Sequence, residues 1–187
     1  MIKPITIYTP PDDENYPPHI TAEDDAFIYH QLLGGQDGIF GLSCTKIDNN
    51  TVQITGGGCT NLGHVLRVFG ENNLTLDTGT AGYRRIDFIV ARFTRGGGEN
   101  PDTYELDVVP GTPYTGTTPV YPSLTTSNLE TEGDINEVAL FEVQMNGTNL
   151  ENIVQDMANL PHKILIGTAD PSTLDPQPPN GTIYLRV

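Results

Sequence analysis

Tryptophan is absent from this chain, cysteine occurs twice, and nine basic residues face 24 acidic ones. Each scarcity excludes something. The Lys and Arg residues are scattered, with Arg84 and Arg85 the adjacent pair, so they form no patch for a phosphate backbone, and nucleic acid is excluded as a partner. The formal charge of −15 reads as a solvated surface, or else as one that attracts divalent cations or basic partners. No apolar run approaches the ~20 residues of a membrane-spanning helix. The first eleven residues carry Lys3 and three prolines, which is not the pattern of a signal region. Synthesis in the cytoplasm without export by that route, and no membrane insertion, are expected. Cys44 and Cys59 fall on strands expected to be neighbours, with no Cys-x-x-Cys and no Cys/His spacing suited to zinc. Two free buried thiols are therefore expected rather than a disulfide.

What is plentiful is turn chemistry. Twenty Gly and 15 Pro among 187 residues suit short strands better than long helices. The strongest strand signal runs over 84–94, where Ile86, Phe88 and Val90 face one way and Ile89, Ala91 and Phe93 the other. A strand apolar on both faces is central and covered on both sides. Gly96-Gly97-Gly98 and Asn100-Pro101-Asp102 turn the chain, after which Tyr104, Leu106 and Val108 alternate with Glu105 and Asp107. Shorter strands are expected over 40–47, 51–56, 63–69 and 73–77. A further one over 137–146 has Ala139, Phe141, Val143 and Met145 on one face. Thr21 caps a helix whose first turn holds Glu23, Asp24 and Asp25 and which ends at Gly34-Gly35. A short helix is expected over 150–159, and a long Thr/Pro/Ser-rich loop over 114–134 is expected to lie across a surface or reach a neighbour.

These elements predict a mainly β fold, an antiparallel β-sandwich or barrel-like domain with one N-terminal helix and a small C-terminal β appendage. Residues 1–17 read as an arm or linker, 18–160 as the β-rich domain, and 161–187 as two short strands around a proline-rich loop and an Asn180-Gly181 turn. The last piece is too small for a core of its own and is expected to dock on the main domain or a partner.

The search for chemistry yields no catalytic, metal or cofactor residues. Gly56-Gly57-Gly58 runs into a strand pattern rather than a helix, which makes it a turn and not a phosphate cradle. His19, His30, His64 and His162 are isolated, and nucleophile motifs of the Gly-x-Ser-x-Gly kind are absent. Acidic residues cluster in turns, at the helix start and on exposed strand faces. A small hydrolase would need two of them facing across a cleft. Arg85 and Asp87, two apart on a strand buried on both faces, are expected to pair at the strand end or across a subunit boundary. Phe27, Ile28 and Leu32 widen the apolar surface of the helix, and together with Gln31 they are assigned to an assembly interface. With tryptophan missing, Tyr114 and Tyr121 are the aromatic residues assigned to contact a glycan.

Four segments then follow in a telling order: Thr21-Ala22-Glu23-Asp24 through Gly38-Ile39-Phe40, Arg85-Ile86-Asp87-Phe88-Ile89-Val90-Ala91-Arg92, Val108-Val109-Pro110-Gly111-Thr112-Pro113, and Asn136-Glu137-Val138-Ala139-Leu140-Phe141-Glu142-Val143. This series resembles a β-rich domain of tail-fibre, baseplate and minor structural proteins of siphophages and prophages of Gram-positive bacteria, over roughly residues 18–160. Pro110 stands where that family has a basic residue. Gly167-Thr168-Ala169-Asp170-Pro171 with Asn180-Gly181-Thr182-Ile183-Tyr184-Leu185 is similar to a second unit of phage fibre proteins. The resemblance implies a non-enzymatic virion protein of the tail, with structural and host-attachment roles and no cofactor. Partners expected on this reading are further copies of the chain, as a homotrimer, and other tail or baseplate proteins. The alternative is a carbohydrate-binding module acting as the adhesive tip, with host cell-wall polysaccharide as its partner.

Overall fold

The computed structural model describes residues 21–96, 101–127, 129 and 134–160, with the backbone of 164–167 and 183–186. The arm expected over 1–17, the tip of the glycine hairpin at 97–100 and the Asn180-Gly181 turn lie outside the described residues. Among the described residues the chain is mainly β, with one helix and with sheets that are antiparallel apart from a two-stranded one near the C-terminus. In order, the elements are α1 (Ala22–Leu32), β1 (Ile39–Phe40), β2 (Ser43–Lys46), β3 (Thr51–Thr55), β4 (Gly58–Asn61), β5 (His64–Arg67), β6 (Glu71–Thr75), β7 (Arg84–Thr94), β8 (Thr103–Val109), β9 (Ile135–Asn146), β10 (Asn149–Gln155), β11 (Ile164–Gly167) and β12 (Ile183–Arg186).

Helix α1 starts where its sequence dictates. The Thr21 side chain accepts from the Asp24 amide at 3.3 Å, and Asp24 Oδ2 accepts from the Thr21 amide at 2.9 Å. This reciprocal box satisfies donors that the first turn leaves open and contributes on the order of 1 kcal/mol. The helix lies against the β4–β5 turn, where Gly63 has φ +80°. A Cβ on Gly63 would sit 1.8 Å from the Ala26 carbonyl oxygen, so only glycine lets the helix backbone approach this closely.

The principal sheet has the order β10-β9-β7-β8. Its centre is β7, in which every residue from Arg85 to Ala91 is buried. Ile89 and Ala91 enter a large core, together with Val52 and Ile54 from the sheet β2-β3-β6 and Ile39 and Cys59 from the sheet β1-β4-β5. The principal sheet thus packs on two smaller ones as a sandwich-like pair of layers. Ile86, Phe88 and Val90 point the opposite way, into a smaller cluster with Ala139 that Val109, Tyr114 and Leu124 cover. The long loop after β8 therefore lies across the outer face of the sheet and gives β7 its second covering.

Four expectations need correction. First, Ala139 does not share a face with Phe141, Val143 and Met145. Register runs Ile89↔Phe141 and then Val90↔Ala139, so Leu140 is an extra residue on β9. The bulge puts Leu140 and Phe141 both into the large core and leaves Ala139 on the other side. Second, 149–155 is a strand, not a short helix. A turn at Gly147 folds the chain back onto β9, and a register shift between Leu150 and Asn152 brings Leu150 and Ile153 onto the same core. Their spacing of three imitates a helix, and the bulge is what accommodates it in a sheet. Third, 58–61 is strand β4 and not turn alone, because Gly56 and Gly57 suffice for the turn. Fourth, Cys44 and Cys59 are not on neighbouring strands, since β2 and β4 belong to different sheets; both are free thiols, as expected, but Cys59 is buried and Cys44 only half-buried. The two short strands expected in the C-terminal piece are β11 and β12, and they pair in parallel.

Candidate functional site

The charged pair on β7 is closed inside one chain. Arg85 Nε and Nη2 donate to Asp87 Oδ1 and Oδ2, each at 2.8 Å, and Asp87 is fully buried. Arg85 Nη2 also donates to the Asp77 carbonyl at 2.6 Å, while the Gly111 amide donates to Asp87 Oδ1 at 2.9 Å. A Cβ on Gly111 would meet the Ile86 carbonyl oxygen at 2.0 Å, so glycine is what brings that amide to the carboxylate. Arg85 and Asp87 thereby tie three segments together: the start of β7, the stretch after β6 and the turn after β8. Every atom of the Asp87 carboxylate is committed, and its chemistry is that of a clamp.

A second network crosses the principal sheet. Arg92 donates to Glu137 Oε1 at 2.7 Å and also pairs with Asp107. Glu137 Oε2 accepts from the Thr125 amide at 2.7 Å, which fastens the long loop to β9. Burial works against the Arg92 charge, but the Glu137 hydrogen bond and the Asp107 charge outweigh it and hold the guanidinium above its ordinary range. These carboxylates face each other through an arginine rather than across an open cleft.

The residues assigned to assembly differ in exposure along α1. Phe27 is 50% exposed and Leu32 76%, Gln31 is exposed, and Ile28 is half-buried. Leu32 also borders an apolar hollow of about 350 Å³, with Tyr29, Leu33, Phe40, Val65 and Leu160 around it. The two tyrosines assigned to a glycan lie on the loop over the smaller cluster. Tyr114 exchanges backbone hydrogen bonds with Arg84 at 2.8 and 2.9 Å, and the half-exposed Tyr121 stacks on Phe88 with ring centroids 6.0 Å apart.

A feature that sequence reasoning missed lies beyond β5. Phe69 is 69% exposed and borders a groove of about 570 Å³ lined also by Arg67, Glu71, Asn73 and Glu105. The segment Gly70-Glu71-Asn72-Asn73 reads as a turn, whereas Glu71 opens strand β6. The available signal was the Asn/Glu-rich composition directly after Arg67-Val68-Phe69.

Other groups are tuned by burial. Desolvation pushes the Cys44 thiol up to about 12 and the Cys59 thiol up to about 11. Cys59 Sγ lies 3.8 Å from the Tyr104 hydroxyl, whose own ionisation burial also pushes up. The His64 ring packs 4.3 Å from Phe93, and burial lowers its pKa below the ordinary value. Among the described residues, no three His, Cys, Asp or Glu side chains gather as a metal site, and no helix is long and apolar enough to cross a membrane. No protein family matches this chain, and no curated protein matches it.

Proposed function

We propose that this chain is a non-enzymatic structural protein of a phage or prophage virion, part of the tail fibre or baseplate, that assembles as a homotrimer and takes part in attachment to the host. The order of motifs from the α1 cap through Arg85-Ile86-Asp87 to Gly111-Thr112-Pro113 supports the class. The observation that carries the assembly role is the surface of α1. Leu32 stands exposed at the rim of the hollow bordered by Tyr29, Val65 and Leu160, and Phe27 is exposed elsewhere on the same helix, on a chain that otherwise carries a charge of −15. Contiguous apolar surface on an acidic protein marks a place where another protein docks. A second copy fits because the lining of that hollow carries no charge, so joining copies there brings no carboxylates into contact.

Light scattering on the purified chain at micromolar concentration tests this reading. A trimer is expected, and Leu32→Glu is expected to shift the mass toward the monomer with unchanged far-UV circular dichroism. A clean wild-type monomer removes the assembly role. Mass spectrometry of purified virions tests the location, since a structural protein must be recovered with the tail.

A further inference from the structure

We propose that the groove bounded by β5, β6 and β8 is a saccharide-binding site with Phe69 as its stacking platform. It rests on the attachment reading only in naming what is gripped, and it lies on a different part of the molecule from Tyr114 and Tyr121. Three sheet edges meet here, because β5, β6 and β8 are each the last strand of their sheet. Their convergence leaves the groove open, at a volume within the range of about 300–1,000 Å³ typical of small-molecule sites.

The ring of Phe69 is both exposed and held. The Arg67 guanidinium lies 4.3 Å from its centroid, and Asn72 Nδ2 donates to the Phe69 carbonyl at 3.0 Å, which anchors the backbone beneath it. An aromatic ring kept in place at the surface offers a flat apolar face at little entropic cost on binding. Beside it, Gln53 Nε2 donates to Glu71 Oε2 and to Asn73 Oδ1, each at 3.2 Å. Those two bonds preset the Glu71 and Asn73 side chains, while the second carboxylate oxygen and the amide NH₂ keep their own hydrogen-bonding capacity. Arg67 and Glu105 form no salt bridge among the described residues, so donors and acceptors both line the rim.

A pyranose matches this arrangement. Its C–H face suits the ring, and its hydroxyls each donate and accept, as the mixed rim requires. Other ligands fit less well. Glu71 and Glu105 repel the phosphates of a nucleic acid. A peptide strand inserted between β6 and β8 would need roughly 9–10 Å between them, since neighbouring strands lie ~4.8 Å apart. The Cα atoms of β6 and β8 approach within 8 Å.

The test is a glycan array of neutral, N-acetylated and uronic oligosaccharides probed with the full chain, followed by titration with the soluble form of any that bind. Binding to at least one class is expected. Phe69→Ala should weaken it at least tenfold and Asn73→Ala severalfold, while Val154→Ala, on the opposite edge strand of the principal sheet, stays within twofold. Phe69 is exposed, so its removal leaves the fold intact, and circular dichroism checks this. Absence of binding to every glycan, or binding that survives Phe69→Ala, overturns the assignment. Self-association lost in Phe69→Ala also overturns it, by giving the groove to a chain–chain contact. A trimer without glycan binding sinks this proposal alone, whereas a monomer that binds glycan through Phe69 sinks the assembly role alone.

Discussion

Arg85 grips Asp87 two residues further along the same strand, through two hydrogen bonds of 2.8 Å, with the carboxylate wholly out of solvent. Residues two apart on a strand share a face, so the pair closes without any help from a neighbouring strand. Asp77 and Gly111 then complete the hydrogen bonding that a buried charge pair requires.

Breaking one half of this pair strands the other. Arg85→Ala is expected to cost about 3–5 kcal/mol of stability, as is usual when a buried charge loses its partner. The double variant Arg85→Met/Asp87→Leu should cost much less, since no charge stays buried. Urea unfolding monitored by circular dichroism measures both. A loss below about 1 kcal/mol for the single variant would mean that water reaches Asp87.

Gly63→Ala tests the docking of α1. With a carbonyl oxygen 1.8 Å from the new Cβ, the helix must shift off the β4–β5 turn. Hydrogen exchange should show the amides of Ala22–Leu32 opening faster while those of β7 keep their protection. Uniform loss of protection in both elements would contradict a locally docked helix.

Acidification should weaken the fold through His64. Burial depresses its folded-state pKa below the ordinary 6.5, so the unfolded chain takes up the proton first. The stabilisation is complete above about pH 6.5 and is lost as pH falls from there through the folded pKa. Thermal melts between pH 7 and 5 should therefore fall more steeply for the wild type than for His64→Gln. Parallel curves would remove His64 as a contributor.

Both thiols should resist modification in the native state. With Cys44 pushed up to about 12 and Cys59 up to about 11, almost no thiolate exists at pH 8. Reaction with a disulfide reagent such as Ellman's is expected to be at least ~100-fold slower than in denaturant. Rapid native reaction at either position would show that its strand opens readily.

How far local pattern reaches is visible in β9 and β10. The alternation in Glu137–Asn146 announces a strand, but alternation alone cannot show that Leu140 is the extra residue, because the bulge is set by β7 pairing alongside. Leu150 and Ile153 carry a helical spacing, and only their pairing with β9 turns that segment into a strand. The α1 cap was legible in full because Thr21 and Asp24 need nothing beyond three residues of chain. The Phe69 groove was not, because β5, β6 and β8 become its walls only when three separate sheets are packed together.

By itself the sequence determined what short-range physics controls: a capped helix at Thr21, a central strand apolar on both faces from Ile86 to Phe93, and a charged pair two residues apart that shares one face. Periodicity and side-chain chemistry act over a few residues, and no distant part of the chain overrides them there. The tertiary structure decided which strand edges meet and where the bulges fall. It also placed the long loop on the outer face of β7 and left Phe69 and Leu32 standing in solvent. Those outcomes depend on how well whole sheets bury one another, an energy shared among residues far apart in the chain and therefore written in no single stretch of it.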